Sequence, residues 1–307
     1  MISDSSSEIP LIDLGKYAKR AEACVLVIFG ATGDLTARKL MPALYDLFRE
    51  GELPSHFACV GFARRPKTQQ EFREEMHQAV MQYSRTKGVD PSIWNHFVER
   101  VYYHQSDFGN DAGYISLHHF LQTLDTKIGT KGNRLFYLST QPSDFAPIVA
   151  KLHQHHLLYP YTKEDRWSRL IVEKPFGRDI DSAIQLQKEL TRYVDERQIY
   201  RIDHYLGKET VQNILVLRFA NSIFESIWNH SHIDHVQITV SEDMGIGTRG
   251  RFFEEAGMLR DIVQNHVMQL LSLIAMEPPV ALSAEAIGEE KVKVLQSIRP
   301  FPKERME

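Results

Sequence analysis

The segment CVLVIFGATGDLTARKL (24–40) constrains this chain more than any other. Residues 24–30 are continuously apolar, as a strand buried on both faces must be. Gly30, Gly33 and Thr36 follow directly in a G-x-x-G-x-x-T turn. Glycine has no Cβ, so backbone N–H groups in such a turn can approach a pyrophosphate at the start of a helix. Thr36 takes the place where a small residue lets helix and strand pack closely. Pro42 suits the first turn of a helix, so the main helix is expected near it, with Asp34–Leu40 as an opening turn that brings Lys39 toward the phosphates. As a bare pattern the turn suits a purely structural role equally well. Its context favours a dinucleotide, with Thr32, Gly33, Asp34 and Leu35 around the phosphates.

That context is an alternation. Apolar runs at 57–63, 101–105, 134–140 and 169–175 are predicted strands, separated by helical patterns near 42–50, 68–83, 111–125, 144–156 and 180–193. Continuously apolar strands alternating with helices imply an α/β domain with a doubly wound parallel sheet. The second strand ends in GFARRP, placing Arg64 and Arg65 where a carboxylate would accept the ribose hydroxyls of NAD. Two guanidiniums suit a 2′-phosphate, which points to NADP; the alternative is a solvated basic turn.

From about residue 200 the pattern becomes α+β: a helix near 208–218, an alternating strand HVQITVSE (235–242), a long helix over 257–276 with an apolar stripe from Met258 to Ile274, and a helix near 291–298. A net charge of -4 gives no global attraction to nucleic acid or anionic lipid. No run is long enough to cross a bilayer, and the polar start MISDSSSEIP is not a secretory signal, so the cytoplasm is the expected location. The two cysteines, Cys24 and Cys59, lie in apolar strands and read as buried free thiols.

Three more segments carry chemistry. EKPFG (173–177) places Lys174 at the carboxyl edge of a strand, where open α/β sheets bind ligands, and its bond to Pro175 could be cis. RIDHYLGKE (201–209) gathers Asp203, His204, Tyr205 and Lys208, donors suited to a phosphate, although its composition also fits a charged linker. In QNHVMQ (264–269), His266 lies on or beside the apolar stripe; it reads as a core histidine or as the base that a carbinol oxidation requires.

In order and spacing, GATGDLTARKL, GFARR, EKPFG, RIDHYLGKE, SEDMGIGTRGRFFEEAG and LRDIVQNH resemble the glucose-6-phosphate dehydrogenase family over about residues 22–298. The resemblance implies a Rossmann-type sheet followed by an incomplete α+β substrate domain. The expected divisions are a tail at 1–20, an NADP-binding domain at 21–199, and at 200–307 the start of a substrate and dimerisation domain. It implies oxidation of glucose 6-phosphate at C1 to 6-phosphoglucono-δ-lactone, with NADP reduced, as in the oxidative pentose phosphate pathway. His266 matches the base and Asp203 its partner. His204, Tyr205 and Lys208 match the holders of the sugar phosphate, and Lys174 the lysine between substrate and cofactor. Glu242 and Glu254 match carboxylates that contact sugar hydroxyls. Gly30, Thr32, Gly33, Asp34, Leu35, Lys39, Arg64 and Lys174 match cofactor contacts, and no metal is called for. Thr36 stands where the family commonly has alanine, and Glu254 where it commonly has aspartate. The family's chain continues past the point matching Ile298, and its full-length form is expected to be a homo-oligomer. RPFPKERME stands there instead, which predicts exposed apolar helix faces. Two other readings stay open: a non-catalytic NADP-binding chain, and another Rossmann-type sugar oxidoreductase with Glu-Lys-Pro after a strand.

Overall fold

The computed structural model describes residues 21–86, 88–162, 166–241, 254 and 257–300. The expected tail at 1–20 and Glu242 lie outside them. Two compact units divide the chain: residues 1–173 with 183–200, and residues 174–182 with 201–307.

In the first unit the apolar runs become strands β1 (Cys24–Phe29), β2 (Phe57–Ala63), β3 (Val101–Gln105), β4 (Arg134–Leu138) and β5 (Ser168–Glu173). With β6 (Ile199–Ile202) the sheet order is β3-β2-β1-β4-β5-β6, and the pairings from β3 through β5 are all parallel. Every residue of β1 and β2 is buried, so their unbroken apolar character reflects helices on both faces. The helices are α1 (Met41–Arg49), α2 (Gln69–Tyr83), α3 (Pro91–Val98), α4 (Asp111–Ile128), α5 (Pro142–Gln154) and α6 (Ile180–Thr191). Strand order reverses between β1 and β4, the place where doubly wound sheets open a crevice for ligands. Cys24 and Cys59 are free and buried, and burial pushes their thiols up to about 11 and about 12.

In the second unit α9 (Met268–Ala275) packs against both α7 (Glu209–Phe219) and α10 (Ala284–Ser297), with the short α8 (Ser222–Glu225) beside α7. Its core is Tyr205, Val211, Leu270, Leu273 and Met276. Two expectations are corrected here. Residues 235–241 form no strand among the described residues, because no ladder partner is there to pair with them. The alternation acts only in part: Ile238 and Val240 pack on the core between the exposed Gln237 and Thr239, but Val236, of the same parity, is 49% exposed. The long helix runs from residue 257 to Ala275 but is not α-helical throughout, being π-helical over Leu259–Val267. The wider π turn breaks the stripe, leaving Met258 and Leu259 exposed. Ile223, Val280 and Leu282 are also largely exposed in this unit. Among the described residues, no helix is long and apolar enough to cross a membrane.

Candidate functional site

The turn after β1 shows why its glycines are required. Gly30 has φ +82°, and a Cβ there would lie 2.2 Å from the Ser139 carbonyl oxygen at the end of β4. Only glycine combines that conformation with so close a backbone approach. The Gly30 and Ala31 N–H groups donate to the Phe62 carbonyl, and that of Gly33 to the Gly30 carbonyl, which closes the turn. Asp34 and Leu35 begin a helical turn that runs through a π-helical Thr36–Leu40 into α1, with Pro42 in its first turn as expected. Asp34 pairs with Arg38 at 2.7 Å, and Lys39 is exposed. Thr36 is fully buried, and its Oγ1 has no hydrogen-bond partner, nor has the buried Oγ of Ser139.

Arg65, at the end of β2, donates from Nη1 to the Thr32 carbonyl at 3.2 Å. Its backbone is fixed from the other side, since Tyr103 Oη donates to the Arg65 carbonyl at 2.5 Å. Of the two sequence-predicted arginines, it is therefore Arg65 that reaches the glycine turn. Arg64 beside it is exposed.

In the second unit, RIDHYLGKE is more structured than a linker. It continues β6 and then forms a 3-10 turn, His204–Gly207, whose N-cap is Asp203. Asp203 Oδ1 accepts from the Tyr205 N–H at 3.0 Å, and it also lies 2.6 Å from His266 Nδ1. The cap thus fixes the carboxylate that holds the imidazole. Tyr205 stacks on the His266 ring, with centroids 4.1 Å apart and planes 12° apart, and the His204 ring meets it edge-on at 4.6 Å. Lys208 Nζ lies 3.8 Å from the Tyr205 ring centroid.

Lys174 completes the cluster. Its peptide bond to Pro175 is cis. Its ammonium reaches three acceptors: Asp261 Oδ1 at 2.9 Å, the Asp261 carbonyl at 3.1 Å and His266 Nε2 at 2.9 Å. An ammonium can only donate, so Nε2 carries the lone pair and the proton sits on Nδ1, facing Asp203. His266 is 1% exposed. Burial lowers its pKa below the usual histidine value, the Lys174 charge lowers it further, and Asp203 opposes both. His204 is lowered chiefly by burial and next by the charge of His266. Asp203, His204 and His266 offer donor atoms within 4.8 Å of one another. Of these donor atoms, His266 Nε2 already accepts from the Lys174 ammonium.

Asp203, His204, Tyr205, Lys208, Lys174 and His266 therefore come together. Glu254 is exposed. Sequence reasoning missed Asp261, which anchors Lys174. On an α-helix, residues five apart are turned by about 140°. The π-helical Leu259–Val267, whose bonds run i to i+5, brings Asp261 and His266 to the same lysine.

Sheet order and glycine turn define a dinucleotide-binding α/β protein of the Rossmann type, joined to a unit that holds a histidine–aspartate pair. Residues 27–213 match the family described as "Glucose-6-phosphate dehydrogenase, NAD binding domain", and residues 215–307 match "Glucose-6-phosphate dehydrogenase, C-terminal domain". The chain belongs to the glucose-6-phosphate dehydrogenase family. It is 55% identical over 293 residues to glucose-6-phosphate 1-dehydrogenase of Chlamydia muridarum, which covers 95% of this chain and 58% of the relative. With the Bacillus subtilis enzyme of the same name it shares 44% over 283 residues, 92% of this chain and 56% of the relative. A solved glucose-6-phosphate dehydrogenase in complex with its substrate glucose-6-phosphate superposes with a TM-score of 0.84 at 37% identity, over 92% of this chain and 57% of that one. Glucose-6-phosphate 1-dehydrogenase from Mycobacterium avium gives 0.79 at 36% identity, over 92% and 59%. The chain spans a little over half the length of the relatives it matches.

Proposed function

We propose that this chain carries the machinery for oxidising glucose 6-phosphate at C1 to 6-phosphoglucono-δ-lactone, with residues 21–199 as the NADP-binding domain and residues 200–307 as the start of the substrate domain. The observation that carries the reading is the pair of contacts on His266, Asp203 Oδ1 at 2.6 Å from Nδ1 and the Lys174 ammonium at 2.9 Å from Nε2, which favours a proton toward Asp203 and a basic Nε2.

The fit to NADP rests on the glycine turn, where a Cβ at Gly30 would collide with Ser139, on the unpartnered Ser139 hydroxyl beside it, and on the guanidinium of Arg65 at the Thr32 carbonyl. Gly30, Thr32, Gly33, Asp34, Leu35 and Lys39 would hold the pyrophosphate side, and Arg64 with Arg65 the 2′-phosphate. When bound, NADP supplies the acceptor for the hydride that leaves C1.

His204, Tyr205 and Lys208 are the donors assigned to the 6-phosphate. Once Lys174 releases His266 Nε2, that nitrogen takes the proton of the C1 hydroxyl as the C1–H pair departs. Asp203 stabilises the imidazolium and keeps the ring oriented. Lys174, freed from the ring, remains tethered by Asp261 and donates to a sugar oxygen; Glu242 and Glu254 are assigned to other hydroxyls. Buried free thiols suit a reducing compartment, which supports a cytoplasmic location. A homo-oligomer is assigned to the full-length form.

The test is to supply the chain with NADP and either glucose or glucose 6-phosphate and follow the reduced-nicotinamide absorbance. Reduction with the phosphorylated sugar alone is expected. Turnover confined to free glucose would overturn the substrate assignment, and NADP binding with no reduction would leave a binding protein.

A further inference from the structure

We infer that Tyr205 is a positioning residue for the His266 base, acting through its ring, which holds the imidazole by the face while hydrogen bonds hold it at the edge. The role of His266 as a base rests on the reaction proposed above; the contact between the rings does not. The two rings lie nearly parallel, with planes 12° apart and centroids 4.1 Å apart, which is a face-to-face contact. Lys208 Nζ lies 3.8 Å from the same Tyr205 centroid. A face covered by an imidazole at that separation has no room for an ammonium as well, so Lys208 lies on the opposite face. Tyr205 is thus a plate between a lysine and the imidazole. The plate is fixed in place. Tyr205 is 4% exposed and shares its core with Val211, Leu270, Leu273 and Met276, and its N–H donates to the Asp203 carboxylate at 3.0 Å.

The two hydrogen bonds at the ring nitrogens do not do this work. Asp203 holds Nδ1 at 2.6 Å and Lys174 holds Nε2 at 2.9 Å, but Lys174 must leave before Nε2 can take a proton. The ring is then tied at Nδ1 alone, and a single hydrogen bond permits rotation about its own axis. A flat partner on the face opposes that rotation and keeps the Nε2 lone pair aimed. The face also acts by charge: an aromatic face is negative, so it attracts an imidazolium more than a neutral imidazole. The other charged or titratable groups around His266 are Asp203 at Nδ1, Lys174 with Asp261 at Nε2, His204 edge-on at 4.6 Å, and Lys208 behind Tyr205. On α10, Lys291 feels the charge of Asp203 but makes no hydrogen bond or ion pair with it among the described residues. The alternative is a tyrosine that fills the core and contributes only its hydroxyl.

Two substitutions separate these roles. Tyr205→Phe keeps the plate and removes the hydroxyl, whereas Tyr205→Leu keeps an apolar side chain and removes the plate. The first readout needs no turnover: the His266 ring signals, identified by their loss in His266→Asn, are followed by NMR across pH. In Tyr205→Phe the titration should match that of the unsubstituted chain. In Tyr205→Leu it should move to lower pH by about half a unit, because the imidazolium loses its aromatic face. Tyr205→Met provides the non-aromatic variant should Tyr205→Leu fail to fold. The second readout rests on the proposed reaction. Both substitutions remove the hydroxyl, so KM for glucose 6-phosphate should rise alike, but kcat should be roughly tenfold lower in Tyr205→Leu than in Tyr205→Phe. A titration unchanged or raised in a folded non-aromatic variant overturns the inference, as does one that Tyr205→Phe lowers equally, or an equal kcat in the two variants. A titration lowered by Tyr205→Leu but not by Tyr205→Phe, in a chain that never reduces NADP, sustains the ring contact and removes the proposed reaction instead.

Discussion

His266 and Asp203 meet Nδ1 to Oδ1 at 2.6 Å across 63 positions of sequence, and Asp203 reaches that point as the N-cap of the turn that carries His204 and Tyr205. A capping carboxylate has little freedom, so the imidazole it holds has one orientation and one tautomer. His266→Asn removes the base but keeps a polar side chain of similar reach. It should abolish NADP reduction while glucose 6-phosphate still binds, as titration calorimetry would register. Asp203→Asn should lower kcat on the order of 10²- to 10⁴-fold, because the amide can donate to Nδ1 and drive the proton to Nε2. Normal turnover in either variant removes the assigned role.

Cofactor choice falls on the two arginines after β2. Both are exposed, but Arg65 is already tied to the Thr32 carbonyl. Arg64→Ala should therefore weaken NADP far more than NAD, by about tenfold or more for a charge-assisted phosphate contact. Equal losses for the two cofactors, measured by fluorescence titration, would count against a 2′-phosphate at this position.

Acid should act through three histidines whose neutral form the fold favours. His104, His204 and His266 all have folded-state pKa values lowered chiefly by burial. In each the unfolded chain binds its proton first as pH falls. Their contribution to stability is therefore complete above the unfolded value of about 6.5 and is lost as pH drops through the lower folded values. The urea midpoint should fall on going from pH 7 to pH 5. For catalysis, the acid limb of kcat/KM should lie below the ordinary histidine pKa. A limb above it would mean that Asp203 outweighs burial and Lys174.

The sheet was legible because each of its first five strands is a short apolar run flanked by turn residues, and full burial of β1 and β2 requires that pattern. What escaped was short or non-standard. Helix α3 carries clear signals, Asp90 as N-cap and Pro91 at the first position with Trp94 and Phe97 buried, but it has only eight residues. The four-residue β6 is concealed in the polar motif it leads into. Asp203, His204, Tyr205, Lys208, Lys174 and His266 were all found as residues. Asp261 was not, because its neighbourhood with His266 depends on a π-helical segment that α-helical periodicity does not anticipate.

Gly30 joins fold and site, which makes it the sharpest test of the cofactor turn. Alanine there would need a left-handed φ of +82° and would set its Cβ 2.2 Å from a backbone oxygen of β4, an atom that cannot swing aside. Left-handed strain costs about 1–2 kcal/mol and overpacking about 1–3 kcal/mol. Gly30→Ala should thus lower stability by about 2–5 kcal/mol, read as a lower Tm, and should weaken NADP binding because the turn must move away from β4. Gly51 is the control: its φ is +75°, but open space surrounds it, so Gly51→Ala should show only the conformational cost and leave NADP binding intact. Equal effects from the two substitutions would mean that the close approach to Ser139 is not what shapes the turn.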